Sequence, residues 1–427
     1  MILICKYLPE LFIKKWLNFF LFLVICLFIF LPTKAQAQLI RGQYEDEAPF
    51  RTWNTFGLLT GVSLSMGGAH YAYSFDLSTA LTNPSQLSQL PRFTAVINGS
   101  LNKATFSKYS IINTGPVSID KNAPLILYCL DFGGVSLNLD GWGVSLNTSI
   151  LENYNRPSAF YRYKDKGSVV YELDFEQTGL LRNINLSVSK NLGNQISMGI
   201  GFNFVTGNLK KKLVEEYYSG DIIMTDDKSH HWQKFYLNGG ITIHLNPKFQ
   251  AAAVFRTPYQ RKCSSENLLR YQAVSSGTDI KIESREESTF SQPLILGAGF
   301  NYWFSDQFRV AADATFFNWS QYKVTLFGEE RPRDFKNIVN FGTGIEYNSW
   351  AKFFGLEFKV PLWLGFLYDP QPMKNPHSSY YSLTFGTGLV LDHFFLNAGA
   401  SLGYEKGSGD QLRGRRVVIT FGYRSKK

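Results

Sequence analysis

The chain has 427 residues, 16% of them aromatic and 18% charged, with 36 Gly and only 4 Cys, which excludes both a disordered chain and a small disulfide-stapled domain. Its formal net charge is +9 and its mean hydropathy is -0.12, too polar for a bundle of membrane helices. A soluble all-β protein or a membrane β-barrel remains.

Lys6, Lys14 and Lys15 precede an apolar run from Trp16 to Pro32, and Ala35-Gln36-Ala37 follows. A basic start, a short apolar stretch and small residues around a cleavage point mark a secretory signal peptide, so residues 1–37 are expected to be removed. The apolar run is at the short end for an anchor helix, which needs about 20 residues. Cleavage removes Cys5 and Cys26 and leaves Cys129 and Cys263. An exported protein permits a disulfide between them, but their spacing gives little reason to expect one. Arg413-Gly414-Arg415-Arg416 is a short basic run without interleaved aromatics, read as loop charge and not as a nucleic-acid surface.

Residues 38–91 are rich in Gly, Ser and Thr, with Gly67-Gly68 and Asn83-Pro84 pairs, and are too irregular to span a membrane. This segment is expected to fold as a plug, and residues 92–427 as a barrel. From residue 92 the dominant period is two. Trp142, Val144 and Leu146 alternate with Gly143, Ser145 and Asn147; Ile184, Leu186 and Val188 with Asn185, Ser187 and Ser189; Ile196, Met198, Ile200 and Phe202 with Ser197, Gly199 and Gly201. The same alternation returns at Phe308 to Phe316, Phe394 to Leu402 and Val417 to Tyr423. Many of these runs reach ten residues or more, matching the ~9–11 that cross a bilayer at a tilt. Aromatic residues near the strand ends, Trp142, Tyr236, Trp303, Tyr347, Tyr404 and Tyr423, suggest interfacial girdles. Strands in lipid must close on themselves, because an open edge would leave backbone groups unpaired in hydrocarbon. The expected fold is therefore all-β: a transmembrane antiparallel barrel of about 14 strands with an N-terminal plug. Val214 to Trp232 reads as a long polar external loop, and Phe255 to Glu287 as long loops or strands extended beyond the bilayer. Gly133-Gly134 is a candidate kink.

Three motifs in order carry a family resemblance. Ser65-Met66-Gly67-Gly68-Ala69, Asp76 and Asn83-Pro84-Ser85 resemble the N-terminal signature of the FadL/TodX outer-membrane hydrocarbon transporters. Phe255-Arg256-Thr257-Pro258-Tyr259 and Asp313 with Asn318-Trp319-Ser320-Gln321-Tyr322 are similar to two internal signatures of that family. The resemblance implies a plugged barrel in the bacterial outer membrane that passively admits long-chain fatty acids or other hydrophobic compounds. It also implies a hatch that includes Gly67, Gly68, Asp76, Asn83 and Pro84. Ser85 and Ser65 depart from the family pattern, and Arg424 to Lys427 follow the terminal aromatic. A barrel that has lost transport is the alternative, since the PorV barrel of type IX secretion resembles the same family; it would act as partner or anchor in a secretion complex.

On the inward parity, Trp303, Phe317, Trp319, Phe395 and Val418 fall with Asn301, Thr315 and Asn397, the mixture expected of a small-molecule pocket or of packing against a plug. Arg256 and Arg309 share that parity with His244, Asp313 and Glu346. Either Arg can bind a fatty carboxylate, and pairing with Asp313 or Glu346 is the competing reading, since an unpaired lumen charge is unfavourable. Gly67 and Gly68 are either architectural or a hinge. His230-His231 lacks the spacing of a metal site, and neither a nucleophile elbow nor a cofactor motif is present. No enzyme, cofactor, metal or nucleic acid is therefore expected. The expected partners are a hydrophobic small molecule or fatty acid, membrane lipid and lipopolysaccharide, with a secretion-complex protein as the alternative.

Overall fold

The computed structural model describes residues 56, 60–73, 75–106, 118–122, 125–153, 156–218, 221–326, 329–332, 334–353, 356–372, 374–375, 377–407 and 412–425. The expected signal peptide and the first part of the plug lie outside them. Beyond the plug the chain forms β1 (Phe93–Phe106), β2 (Ser118–Asn122), β3 (Leu125–Leu139), β4 (Trp142–Asn153) and β5 (Arg156–Asp165). Three tall strands follow: β6 (Ser168–Leu192), β7 (Ile196–Tyr217) and β8 (Ile222–Asn246). Shorter ones come next: β9 (Phe249–Arg256), β10 (Tyr259–Ala273), β11 (Thr278–Gln292), β12 (Ile295–Trp303), β13 (Phe308–Phe317), β14 (Lys323–Leu326) and β15 (Glu329–Pro332). The last five are β16 (Ile338–Phe353), β17 (Leu356–Pro370), β18 (Ser379–Leu391), β19 (Phe394–Lys406) and β20 (Leu412–Arg424).

All pairings are antiparallel, and the sheet closes where β1 pairs with β20 from Thr94↔Arg424 to Phe106↔Leu412. The twenty strands among the described residues exceed the fourteen or so expected. One source of the excess is division of single crossings. Thr257-Pro258 separates β9 from β10, Pro293-Leu294 separates β11 from β12, and a 3-10 turn at Trp319–Gln321 stands between β13 and β14. Proline cannot donate to the ladder, which accounts for the first two divisions; the third, Asn318 to Tyr322, holds no proline and is made by the 3-10 turn itself. Short strands are the other source: β2 pairs with β5, and β15 with β14.

The period-two pattern sorts the side chains. Leu146, Ile184, Leu186, Phe202, Ile419 and Phe421 are exposed on the outside, while Ser145, Asn147, Asn185, Ser187, Asn203 and Thr420 are buried inside. An apolar exterior around a polar interior is the inverse of a soluble sandwich and suits a wall surrounded by lipid. Aromatic residues gather at both edges of the apolar band. Tyr302, Phe304 and Phe308 stand together at the end with the tight turns, and Phe366, Tyr368, Tyr381 and Tyr404 at the other. Tyr236 does not belong to either girdle: it is buried in the lumen, where it stacks on Tyr259.

Val214 to Trp232 is not an irregular loop. Apart from a turn at the tip it forms the upper arms of β7 and β8, paired from Tyr217↔Ile222 downward. Polar composition suggested a loop, but strands clear of the membrane meet water on both faces and lose the apolar alternation. Phe255 to Glu287 is mostly strand: the end of β9, then β10 and β11, paired from Tyr259↔Gln292 to Ala273↔Thr278. At Gly133-Gly134 the ladder irregularity lies next to the pair, where Phe132 and Leu130 face Asn98 and Gly99. Cys129 is a free thiol.

Candidate functional site in the lumen

The described N-terminal segment lies against the inner wall. A short helix, α1 (Gly61–Ser65), meets β17 to β20, and 3-10 turns at Leu77–Leu81 and Pro84–Gln89 meet β3, β4, β6, β7 and β8. Asp76 and Asn83 start the two turns, accepting hydrogen bonds from the Ser78 and Ser85 backbone N–H groups at 2.9 and 3.2 Å. Asn83 also donates to the Tyr71 carbonyl and to Thr242 Oγ1, at 2.7 and 2.9 Å. Pro84 sits at the first position of its turn, where a missing N–H is not needed.

Close approach to the wall depends on glycine. Gly67 has φ +67°, and a Cβ there would lie 2.3 Å from the Phe366 carbonyl oxygen. The wall is bare opposite the plug: Gly344 and Gly365 face Met66 and Gly67, Gly199 faces Pro84 and Ser85, and Gly240 faces Asn83. Hydrogen bonds then fix the position. The Gly67 N–H donates to Thr384 Oγ1 at 3.1 Å, and Asp313 Oδ2 accepts from the His70 and Tyr71 N–H groups at 2.6 and 2.9 Å. His70 is buried against the Gly68 carbonyl, and burial lowers its pKa to about 4.

The inward residues fall into three places. Arg309 is buried and fully engaged: Nε and a terminal nitrogen donate to Glu346 Oε2 at 3.0 and 2.7 Å, and the other terminal nitrogen donates to Asn301 Oδ1 at 2.9 Å. Trp363 Nε1 also donates to Glu346 Oε2 at 2.8 Å. The guanidinium lies 4.4 Å from the Tyr73 ring centre and 5.5 Å from that of Trp303, so Trp303 covers the ion pair. Phe395 packs elsewhere, edge-on to Phe75 at 5.3 Å, with Leu77, Leu81 and Leu87 of the plug.

Phe317 and Trp319 lie in a third place, a packed aromatic cluster at the level of the interrupted crossings. Phe56 and Tyr71 of the N-terminal segment belong to the same buried cluster as Tyr236, Phe290, Trp319, Tyr322 and Phe335. Trp319 is 5.5 Å from Tyr322 and 6.1 Å from Phe335, both nearly edge-on. Arg256 lies over the Tyr236 and Tyr259 rings at 5.7 and 5.6 Å. Its Nε has no hydrogen-bond partner among the described residues, nor has the Trp319 indole nitrogen.

A family model described as BamG matches residues 59–413. The chain belongs to the BamG family. No curated protein matches its sequence. Among solved structures, this BamG-family chain is similar to a FadL homologue of Pseudomonas aeruginosa, with 12% identity, a TM-score of 0.64 and coverage of 87% of this chain and 100% of that one. It is also similar to TbuX, a toluene transporter of Ralstonia pickettii, with 14% identity, a TM-score of 0.58 and the same coverage of each chain. TodX, a toluene transporter of Pseudomonas putida, gives 14% identity, a TM-score of 0.57 and coverage of 86% and 98%. At these identities the likeness is one of fold, the fold that the FadL/TodX-like motifs implied.

The BamG-family lumen thus separates residues that share one parity. Trp319, Phe317 and Arg256 come together; Arg309 and Trp303 form an ion-pair cluster; Phe395 belongs to the plug packing. Sequence reading passed over the glycine sockets, although Gly199 and Gly240 on an inward parity are the signal of a backbone pressed against the strand. It also passed over an asparagine ladder: Asn147 donates to Asn185, Asn183 and Asn185 to Asn203, and Asn203 to Asn238, all at 2.7–2.9 Å.

Proposed function

We propose that the protein is an outer-membrane channel for small hydrophobic compounds, exported by a signal peptide cleaved after Ala37, with the aromatic cluster as its binding place. The cluster carries this reading: it is a buried, largely aromatic group of side chains shared by the wall and the N-terminal segment, set apart from the Arg309–Glu346 ion pair and from the Asn, Ser and Thr side chains elsewhere in the lumen. A guest exchanges the ring contacts of Trp319, Tyr322 and Phe335 for its own and buries apolar surface in doing so. Arg256, not Arg309, is the cation for a fatty carboxylate, because Arg309 is already held by Glu346 and Asn301 while Arg256 retains a free Nε–H among the described residues. The residues Gly67, Gly68, Asp76, Asn83 and Pro84 hold the plug that closes the path. The test is lipid extraction and mass spectrometry of the protein purified in mild detergent. Trp319→Ala is expected to lose most of the bound hydrophobic compound, and Arg256→Gln to lose acids while keeping neutral compounds. Equal retention by wild type and both variants would sink the channel reading.

A second reading, a non-transporting partner in a protein assembly, draws on the height of the wall. β6 and β8 each run for 25 residues, against the ~9–11 that cross the bilayer, so their upper halves stand outside it. Recovery of a stoichiometric protein partner by a barrel free of bound compound would favour this reading.

A further inference from the structure

Arg309 and Glu346 face each other across one ladder, but another ion pair of the lumen does not follow the ladder. A terminal nitrogen of Arg261, on β10, lies 3.1 Å from Glu152 Oε1, on β4, with Arg261 buried and Glu152 mostly so. β4 pairs with β3 and β6, and β10 with β8 and β11, so β6, β7 and β8 stand between the two residues. At about 4.8 Å per strand, four steps make roughly 19 Å of wall. The two side chains meet across the curve of the lumen and not along its surface.

Both ends of this bridge adjoin the aromatic cluster. Glu152 stands opposite Leu181 on β6, and Arg261 opposite Phe290 on β11; Leu181 and Phe290 belong to the cluster, and Leu151 packs against it. Leu181 faces Gly207 on β7, and Val205, buried in the same cluster, is two residues from Gly207 toward the plug. On the side of the upper arms the inward residues are polar. Lys228 pairs with Asp226 at 3.2 Å, and Asn267 donates to Ser284 at 3.2 Å. The bridge thus lies where a polar mouth gives way to an apolar interior.

We infer that the Glu152–Arg261 pair is a gate over the aromatic cluster, opened by a guest carboxylate that takes the place of Glu152 on Arg261. The inference rests on the channel reading and adds an entry step to it. A neutral guest must part the two charges and leave the Arg261 guanidinium desolvated and unpaired, which is strongly unfavourable. A carboxylate keeps the guanidinium paired throughout the exchange, and Glu152, the less buried of the two, turns toward the polar mouth. Arg256 lies just across the Thr257-Pro258 break, over the Tyr236 and Tyr259 rings, and receives the acid next. The gate therefore sorts guests by charge before the cluster sorts them by shape.

The experiment uses the full protein in mild detergent, with C129S/C263S removing its own thiols and Val205→Cys reporting access to the cluster. Labelling of that thiol by a water-soluble maleimide is expected to quicken at least about tenfold in E152Q and in R261Q, as loss of a buried pair requires. The charge-swapped E152R/R261E should return it to the starting rate, a rescue that a packing role does not give. R261K keeps the charge without the fork and should quicken labelling less; it serves if the neutral variants fail to fold. Loading of decanoate and of decanol is then timed by mass spectrometry without the reporter cysteine. Decanoate is expected to enter wild type at least about tenfold faster than decanol, and R261Q to abolish the difference. Equal labelling of all variants overturns the gate, and equal entry of acid and alcohol into wild type overturns the exchange. If neither compound loads at equilibrium while labelling still answers to the charge swap, the channel reading fails and the gate stands as a closure of the lumen.

Discussion

Arg309 and Glu346 show how a charge is kept inside this lumen. Each is almost wholly buried, and Asn301 and Trp363 complete their hydrogen bonds. Removing one partner leaves the other desolvated and unpaired. Glu346→Ala is therefore expected to destabilise the barrel by about 3–5 kcal/mol, read as a fall in the midpoint of thermal unfolding in detergent. Replacing both, as in R309M/E346L, should come close to wild type, because no stranded charge remains. His70 supplies a pH dependence of defined sign. Unfolded imidazole takes a proton near pH 6.5, whereas burial delays protonation in the folded plug to about pH 4. Stability is thus fully present above about 6.5 and falls as the pH drops toward 4. His70→Gln should flatten that slope when unfolding midpoints at pH 7.5 and 4.5 are compared; an unchanged slope would remove His70 as its source.

At the scale of elements, the plug and wall depend on residues without side chains. Gly67→Ala places a Cβ against the Phe366 and Thr343 carbonyl oxygens in a left-handed backbone conformation. The backbone alone makes this unfavourable by roughly 1–3 kcal/mol, and the overlap adds to it. The expected result is a plug open to protease in a barrel that still migrates as folded. Gly199→Val should do the same from the wall side, since its Cβ would lie 2.5 Å from the Pro84 carbonyl carbon. The wall strands were legible in the sequence because lipid outside and polar groups inside impose a strict period of two. The upper arms of β7 and β8 were not, because water on both faces erases that period. The turns of the N-terminal segment were legible from Asn83-Pro84 and Gly67-Gly68, which punctuate a chain that cannot be a strand. The aromatic cluster was legible only in part: parity put Phe317, Trp319 and Phe395 on one face, but height along the barrel, which no parity encodes, parts Phe395 from the other two.

The whole molecule is a wall whose two ends meet only at the last step. β1 pairs with β20 across more than 300 intervening residues, and the plug touches walls on both sides of that seam. Deleting residues 60–90 should leave a folded ring lined by Asn, Ser and Gly, with a large rise in single-channel conductance in planar bilayers. No rise would mean that something other than the plug closes the path. The position of the plug also dictates an order of assembly. Its turns rest on β6, β7 and β8, made early in the chain, while α1 rests on β18, β19 and β20, made last. The plug therefore has no complete site until the final strands arrive, and the seam has no filled interior to close upon until the plug is in place. Enclosure and filling become one event, placed at the end of biogenesis and governed by the most distant contacts in the chain. A barrel of this kind is born shut.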